Sequence, residues 1–282
     1  MMNVEEILDK MGYSQQPIAV KQFGSEEDGT PYNVWNIQFL EQNLVLKQAK
    51  EQEISIYKNF FADPCTFAPR LFSTAKWQGN DYLLMEYVPG NNLMQCNQQG
   101  LVLALDALIT MQSAWWDSPV PSAAFESRIN RGKYLNNSLL ERAYQGYLEE
   151  CIQIPATLCH DDLLPFNVII SGDRAVFIDW ETAGILPYPT SLARLIAHTE
   201  DSKDALFYLS DLDRSTAVDY YYENLVKGRG VAYDNYRRSL DFCLFYEYCE
   251  WVYVGNKYHE KTTERYKKYF QLALLQAEKL GY

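Results

Sequence analysis

The 282 residues are 48% hydrophobic and 22% charged, an ordinary globular mix with enough apolar material for a substantial core. Twenty-five Lys and Arg face 37 Asp and Glu, a net charge of −12 at pH 7. This balance excludes phosphate-backbone binding as the main role, since that needs clustered cations; it suits either plain solubility or the steering of small cations to an acidic cleft.

In chain order, Asn3 caps a first short helix, with Glu6 as its capping-box partner and Gly12 as its stop. Short β-branched and aromatic stretches follow at 17–23, 33–40, 43–48, 71–77 and 81–88, divided by Gly, Asn and Asp, and they predict five strands. One helix, about 50–61, interrupts them before a break at 62–64. The turn at 23–32 contains Gly24 and Gly29 but no G-x-G-x-x-G. Beyond Gly90-Asn91-Asn92 the pattern turns helical, at about 101–116 and 133–151. A β-like interlude fills 157–179, with strands at 167–170 and 175–178 joined by Ser171-Gly172-Asp173; from Pro187 onward nearly everything reads as helix.

No run approaches the ~18 apolar residues of a membrane span. The acidic start, MMNVEEILDKMG, lacks the apolar segment of a signal peptide. The six cysteines form no C-x-x-C pair and no zinc-like cluster with the three histidines. A cytoplasmic protein with reduced thiols is expected.

The chemistry is concentrated in Cys159-His160-Asp161-Asp162-Leu163-Leu164-Pro165-Phe166-Asn167, followed by Phe177-Ile178-Asp179-Trp180-Glu181. His160, Asp162 and Asn167 satisfy H-x-D-x-x-x-x-N, the spacing of a phosphoryl-transfer loop, and Asp179 ends the next hairpin. One carboxylate must meet an attacking hydroxyl, while an amide oxygen and a second carboxylate hold a hard ion such as Mg²⁺. Upstream, Lys47 lies in the third strand, where a lysine reaches nucleotide phosphates, and Glu53 on the next helix can orient it. Met85 to Gly90, with Glu86 and Val88, forms a hinge whose backbone can bond an adenine edge.

These residues resemble the aminoglycoside phosphotransferase and choline kinase superfamily, whose loop commonly reads H-G-D-x-H-x-x-N with a later I-D-W-E. The likeness runs from about residue 20 to residue 196. It implies an α+β, bilobal protein-kinase-like fold with a nucleotide-binding lobe at 1–88, built on a five-stranded antiparallel sheet and one helix. A helical lobe at 89–282 would carry the catalytic loop and the substrate site. It also implies Mg²⁺, and ATP or GTP as co-substrate. Carried over by position, Asp162 is the base or hydroxyl-orienting residue, Asn167 and Asp179 hold metal, Lys47 binds phosphate and Glu53 positions Lys47. The acceptor is expected to be a small hydroxylated, cationic molecule of the aminoglycoside or choline type; a nucleotide-binding pseudokinase with a regulatory role is the alternative.

Departures from the pattern bear on the substrate. Asp161 replaces a glycine, Leu164 the second histidine, and Phe166 a residue often glycine; Met111-Gln112 stands for Leu-His, and Ser191 opens Ser-Leu-Ala-Arg-Leu where an Asp is usual. Asp161 is either an exposed loop charge or an anionic contact for a cationic substrate. On the late helix, Glu247, Glu250 and Trp251 share one face by their i, i+3, i+4 spacing. They form either a cation-binding wall or a core helix with paired glutamates. His160 is expected to be structural, Trp115 and Trp116 to be core, and His198 and His259 to lie at the surface or at helix ends.

Overall fold

The computed structural model describes residues 3–24, 29–61, 65–119 and 123–282. The middle of the expected 23–32 turn and the break at 62–64 lie outside the described residues. Two compact units emerge: residues 1–91 together with 169–183, and residues 92–168 together with 184–282.

The first unit begins with helix α1 (Val4–Lys10), where the Asn3 side chain accepts from the Glu6 N–H, the cap written in the sequence. Strands β1 (Ala19–Gly24), β2 (Pro31–Gln38), β3 (Asn43–Ala49), β4 (Leu71–Trp77) and β5 (Asn80–Glu86) form one antiparallel sheet in the order β1-β2-β3-β5-β4. Helix α2 (Glu51–Phe60) falls between β3 and β4. Period-two alternation along β3 sends Leu44 and Leu46 into a core with Ile7 and Leu8 of α1, and with Ile37, Phe39 and Leu84 of the sheet region. Lys47 therefore projects from the opposite face, toward α2.

The segment 169–183 carries most of β8 (Val168–Ser171), all of β9 (Arg174–Phe177) and the Asp179 turn. Gly172, at φ +63, makes the tight turn of that hairpin. Gly90 is what lets it approach the end of β5, because a Cβ at Gly90 would sit 2.1 Å from the Ile170 carbonyl oxygen. Arg174 adds an ion pair to Glu86 at 2.5 Å.

The second unit is mainly helical: α3 (Gln98–Ala114), α4 (Ala123–Gly132), α5 (Ser138–Gln153), α6 (Thr190–Ala197), α7 (Asp211–Tyr221), α8 (Tyr233–Lys257) and α9 (Glu264–Lys279). A two-residue strand, β6 (Asn91–Asn92), precedes α3, and β7 (Ala156–Cys159) pairs antiparallel with β10 (Gly184–Pro187). Gln112 of α3 is fully buried, donating to the Tyr188 carbonyl at 3.0 Å and accepting from the Tyr221 hydroxyl at 2.5 Å. A buried amide is stable there because both of its ends are satisfied.

Several boundaries differ from the sequence expectation. Helix α5 starts at Ser138 rather than 133, because the Asn137 side chain takes the Leu139 and Leu140 N–H groups. Helix α4 and strand β10 were not expected; α4 is short and polar, and its arginines find carboxylate partners elsewhere in the unit. The C-terminal region is not continuous helix, since 198–210 is irregular and α7 runs on through a π turn at Tyr222–Val226. All six cysteines are free thiols, as expected. Among the described residues no helix is long and apolar enough to cross a membrane.

Candidate active site

In the first unit Lys47, Glu53 and Asp179 meet. Lys47 Nζ lies 2.8 and 2.7 Å from the two Glu53 oxygens and 2.7 Å from Asp179 Oδ1. Burial alone would push the lysine toward its neutral form, but the two carboxylates win and raise its pKa. For Glu53, only 1% exposed, burial dominates and lifts the carboxyl above its ordinary value despite Lys47.

Asp179 sits at φ +66, a left-handed conformation that an aspartate tolerates at some cost. The next residue holds it there. The Trp180 N–H donates to Glu53 Oε1 at 3.2 Å and its indole N–H to the Phe177 carbonyl at 2.8 Å. The buried ring packs edge-on to Phe61, 4.6 Å between centroids, and also lies beside Phe67 and Phe177. Trp180→Ala should cost about 3–5 kcal/mol in unfolding free energy, as for other large-to-small changes at buried aromatics; denaturant melts check this. Lys50 pairs with Glu181, the glutamate of I-D-W-E.

Glu86 has its carboxylate engaged by Arg174 and by the Arg70 N–H at 3.1 Å. Val88 follows β5 and is partly exposed.

In the second unit β7 delivers His160 to the loop, where the buried residue's N–H donates to Ser191 Oγ at 2.9 Å. Ser191, standing where the family pattern has Asp, thus accepts a hydrogen bond from the loop backbone. A tight turn returns the chain: the Leu164 N–H meets the Asp162 carbonyl at 2.7 Å, and Pro165–Asn167 forms a 3₁₀ turn. Asn167 Nδ2 donates to the Asp162 carbonyl at 2.8 Å and lies 3.3 Å from Asp162 Oδ2. The Asn167 amide oxygen in the second unit and, in the first, the Asp179 carboxylate, whose side chain is 46% exposed, are each hard donors of the kind that suits Mg²⁺.

The three acidic residues read as either substrate contacts or structural charges all have arginine partners. Asp161 pairs with the buried Arg128 of α4 at 2.6 Å. Desolvation still raises its carboxyl, opposed chiefly by Arg128. Glu250 pairs with Arg131 of α4. Glu247, 2% exposed, receives Arg194 of α6 at 2.8 Å and His198 at 3.2 Å. Burial pushes Glu247 up, but Arg194 and His198 outweigh it and hold the carboxyl below its ordinary value. Trp251 stacks on Tyr269 and carries the Arg265 guanidinium 4.6 Å above its ring. This face of α8 is a set of internally paired charges.

Of the two places expected for His198, surface or helix end, the structure shows the second. It ends α6 and is buried, with Nδ1 2.8 Å from the Tyr269 hydroxyl and the Trp251 ring edge-on at 6.3 Å. His259, by contrast, is exposed. Arg128, Arg131, Arg194 and Ser191 were not singled out as site residues. The signal for α6 was available, because Ser191, Arg194 and His198 fall at i, i+3 and i+7 and share a face.

A pH effect follows. Desolvation depresses the His198 pKa below its ordinary 6.5, although Glu247 opposes this. The unfolded chain therefore binds more protons than the folded one just below pH 6.5, and stability falls on acidification through that range. The drop in melting temperature from pH 7.5 to 5.5 should be smaller in His198→Gln than in the wild type. Identical pH dependence in the two proteins would refute this assignment.

The chain matches the model of the phosphotransferase enzyme family (APH) over residues 43–223, well over half its length. Protein LicA of Haemophilus influenzae is 39% identical over 51 residues, a stretch that spans 18% of this chain and only 19% of LicA. Among solved structures, the fold resembles aminoglycoside phosphotransferase APH(4)-Ia in its ternary complex with AMP-PNP and hygromycin B (TM-score 0.62, 12% identity, 99% of both chains). A putative fructosamine-3-kinase from Haemophilus somnus 129PT is similar too (TM-score 0.61, 13% identity, 99% of this chain and 97% of that one). The five-stranded sheet, the helical C-terminal region and a family match that takes in both sequence motifs, 159–167 and 177–181, agree: this chain belongs to the phosphotransferase enzyme family.

Proposed function

We propose that the protein is a cytoplasmic small-molecule kinase that moves the γ-phosphate of ATP or GTP to a hydroxyl of a small, cationic acceptor of the aminoglycoside or amino-alcohol kind. The observation that carries this reading is the catalytic loop. Asp162 and Asn167 share one tight turn, and the Asp162 carboxylate is fixed by Arg194 while its side chain stays 29% exposed. In the reaction the acceptor oxygen attacks the γ-phosphorus, the bond to the bridging oxygen breaks, and the nucleoside diphosphate leaves. Asp162 orients the hydroxyl and accepts its proton.

Lys47 binds nucleotide phosphates, Glu53 orients Lys47, and the hinge backbone from Glu86 to Val88 meets the base. Asn167 and Asp179 hold Mg²⁺, which when bound neutralises phosphate charge. Most of the rate enhancement on this reading comes from positioning and electrostatics. The negative charge that draws a cation is the chain's net −12, because Asp161, Glu247 and Glu250 each already hold an arginine.

The test is Mg²⁺-dependent release of ADP and GDP across amino alcohols, aminoglycosides and neutral sugars. Release stimulated by one cationic class supports the proposal and names the acceptor. Stimulation by neutral sugars alone contradicts the cationic acceptor. Thermal stabilisation by nucleotide with no stimulated release across the panel favours a pseudokinase.

A further inference from the structure

Arg194 makes two contacts to Asp162 Oδ1, from Nε at 3.2 Å and from Nη2 at 2.6 Å. Its third nitrogen, Nη1, donates to Glu247 Oε2 at 2.8 Å. Glu247 is buried on α8 and is held in turn by His198, which meets the Tyr269 hydroxyl of α9. A planar guanidinium bridging two carboxylates fixes both at defined angles, which a flexible ammonium cannot do. The arrangement is also internally consistent in charge. Two carboxylates keep Arg194 protonated against the cost of its burial, and Arg194 with His198 keeps Glu247 ionised against its own.

We infer that Arg194 is a positioning residue for phosphoryl transfer, locking one oxygen of the Asp162 carboxylate, and that Glu247 serves as the buried anchor of Arg194 rather than as a substrate contact. Arg194 occupies Oδ1, which leaves Oδ2, beside Asn167 Nδ2, as the oxygen that receives the acceptor hydroxyl. The rotation of the carboxylate about Cβ–Cγ is then set by α6 and α8 and does not have to be selected at each turnover. The alternative is that Arg194 merely balances charge inside the helical unit. Its contacts argue otherwise, since two of its nitrogens converge on a single oxygen of a partly exposed carboxylate. This inference rests on the reading of Asp162 as the catalytic residue.

The experiment compares Arg194→Ala, Arg194→Lys and Glu247→Gln with Asp162→Asn, using the acceptor that stimulates nucleoside diphosphate release. Arg194→Ala should lower kcat about a hundredfold, the scale of loss for a misplaced catalytic group. The KM for nucleotide should stay within about threefold, and added guanidinium, but not methylammonium, should restore part of kcat. Arg194→Lys should recover only a minor share, because one ammonium cannot span both carboxylates. Glu247→Gln keeps the shape of the anchor and should lower kcat with the same unchanged KM, so the inference stays testable if Arg194→Ala does not fold. A folded Arg194→Ala with kcat near wild type overturns the inference, as does parallel loss of kcat and nucleotide affinity that guanidinium fails to reverse. If Asp162→Asn itself retains full activity, the proposed role of the loop fails instead, and the two failures are told apart.

Discussion

Asp162→Asn is expected to lower turnover by about 10²–10⁴-fold, the usual contribution of a positioned acid–base group, while nucleotide still raises the melting temperature. The substitution is nearly isosteric, and the amide oxygen can still accept from Arg194, so the loop turn and the Asn167 contact to the residue 162 carbonyl should persist. What disappears, on the proposed mechanism, is the anionic acceptor for the hydroxyl proton. Single-turnover measurements at saturating nucleotide separate the chemical step from binding. Turnover within tenfold of wild type would reject the catalytic assignment.

Lys47→Ala should weaken both the stability of the first unit and its response to nucleotide. It removes a cation shared by Glu53 and Asp179 and leaves the Glu53 carboxylate buried beside the Trp180 N–H. Breaking a buried ion pair by deleting one partner costs about 3–5 kcal/mol. A loss of that order in denaturant melts is predicted, together with loss of nucleotide-induced stabilisation. The deficit should shrink at lower pH. Burial already lifts Glu53 above its ordinary 4.5 in the folded protein; without Lys47 the folded state binds still more protons there than the unfolded chain. Stability of the variant therefore falls as pH rises above 4.5. Lys47→Ala melting like wild type at neutral pH would show that the triad does not hold the unit together.

The sheet and its lysine were legible because a single period-two pattern in 43–49 fixes which side of β3 carries Lys47, and Glu53 lies in the first turn of α2. The loop's turn was legible because the groups that form it are local, all within eight residues. The partners of that loop were not. Arg194 reaches Asp162 across 32 residues and Glu247 across 53, and no spacing rule encodes such contacts. Helix α4 was missed for the same reason: Pro119 and Pro121 before it and Gly132 at its end read as loop, while its support comes from Asp161 and Glu250. The acidic face of α8 was correctly placed on one side of a helix. Its occupants, the arginines of α4 and α6, were not visible in the helix itself.

The most direct test of the phosphotransferase assignment is ³¹P NMR of the protein with Mg²⁺, ATP or GTP and the acceptor that stimulates nucleoside diphosphate release. A new phosphomonoester resonance should grow in step with the diphosphate and be absent with Asp162→Asn. Growth of inorganic phosphate alone, or a nucleotide that binds and is never consumed, would contradict it.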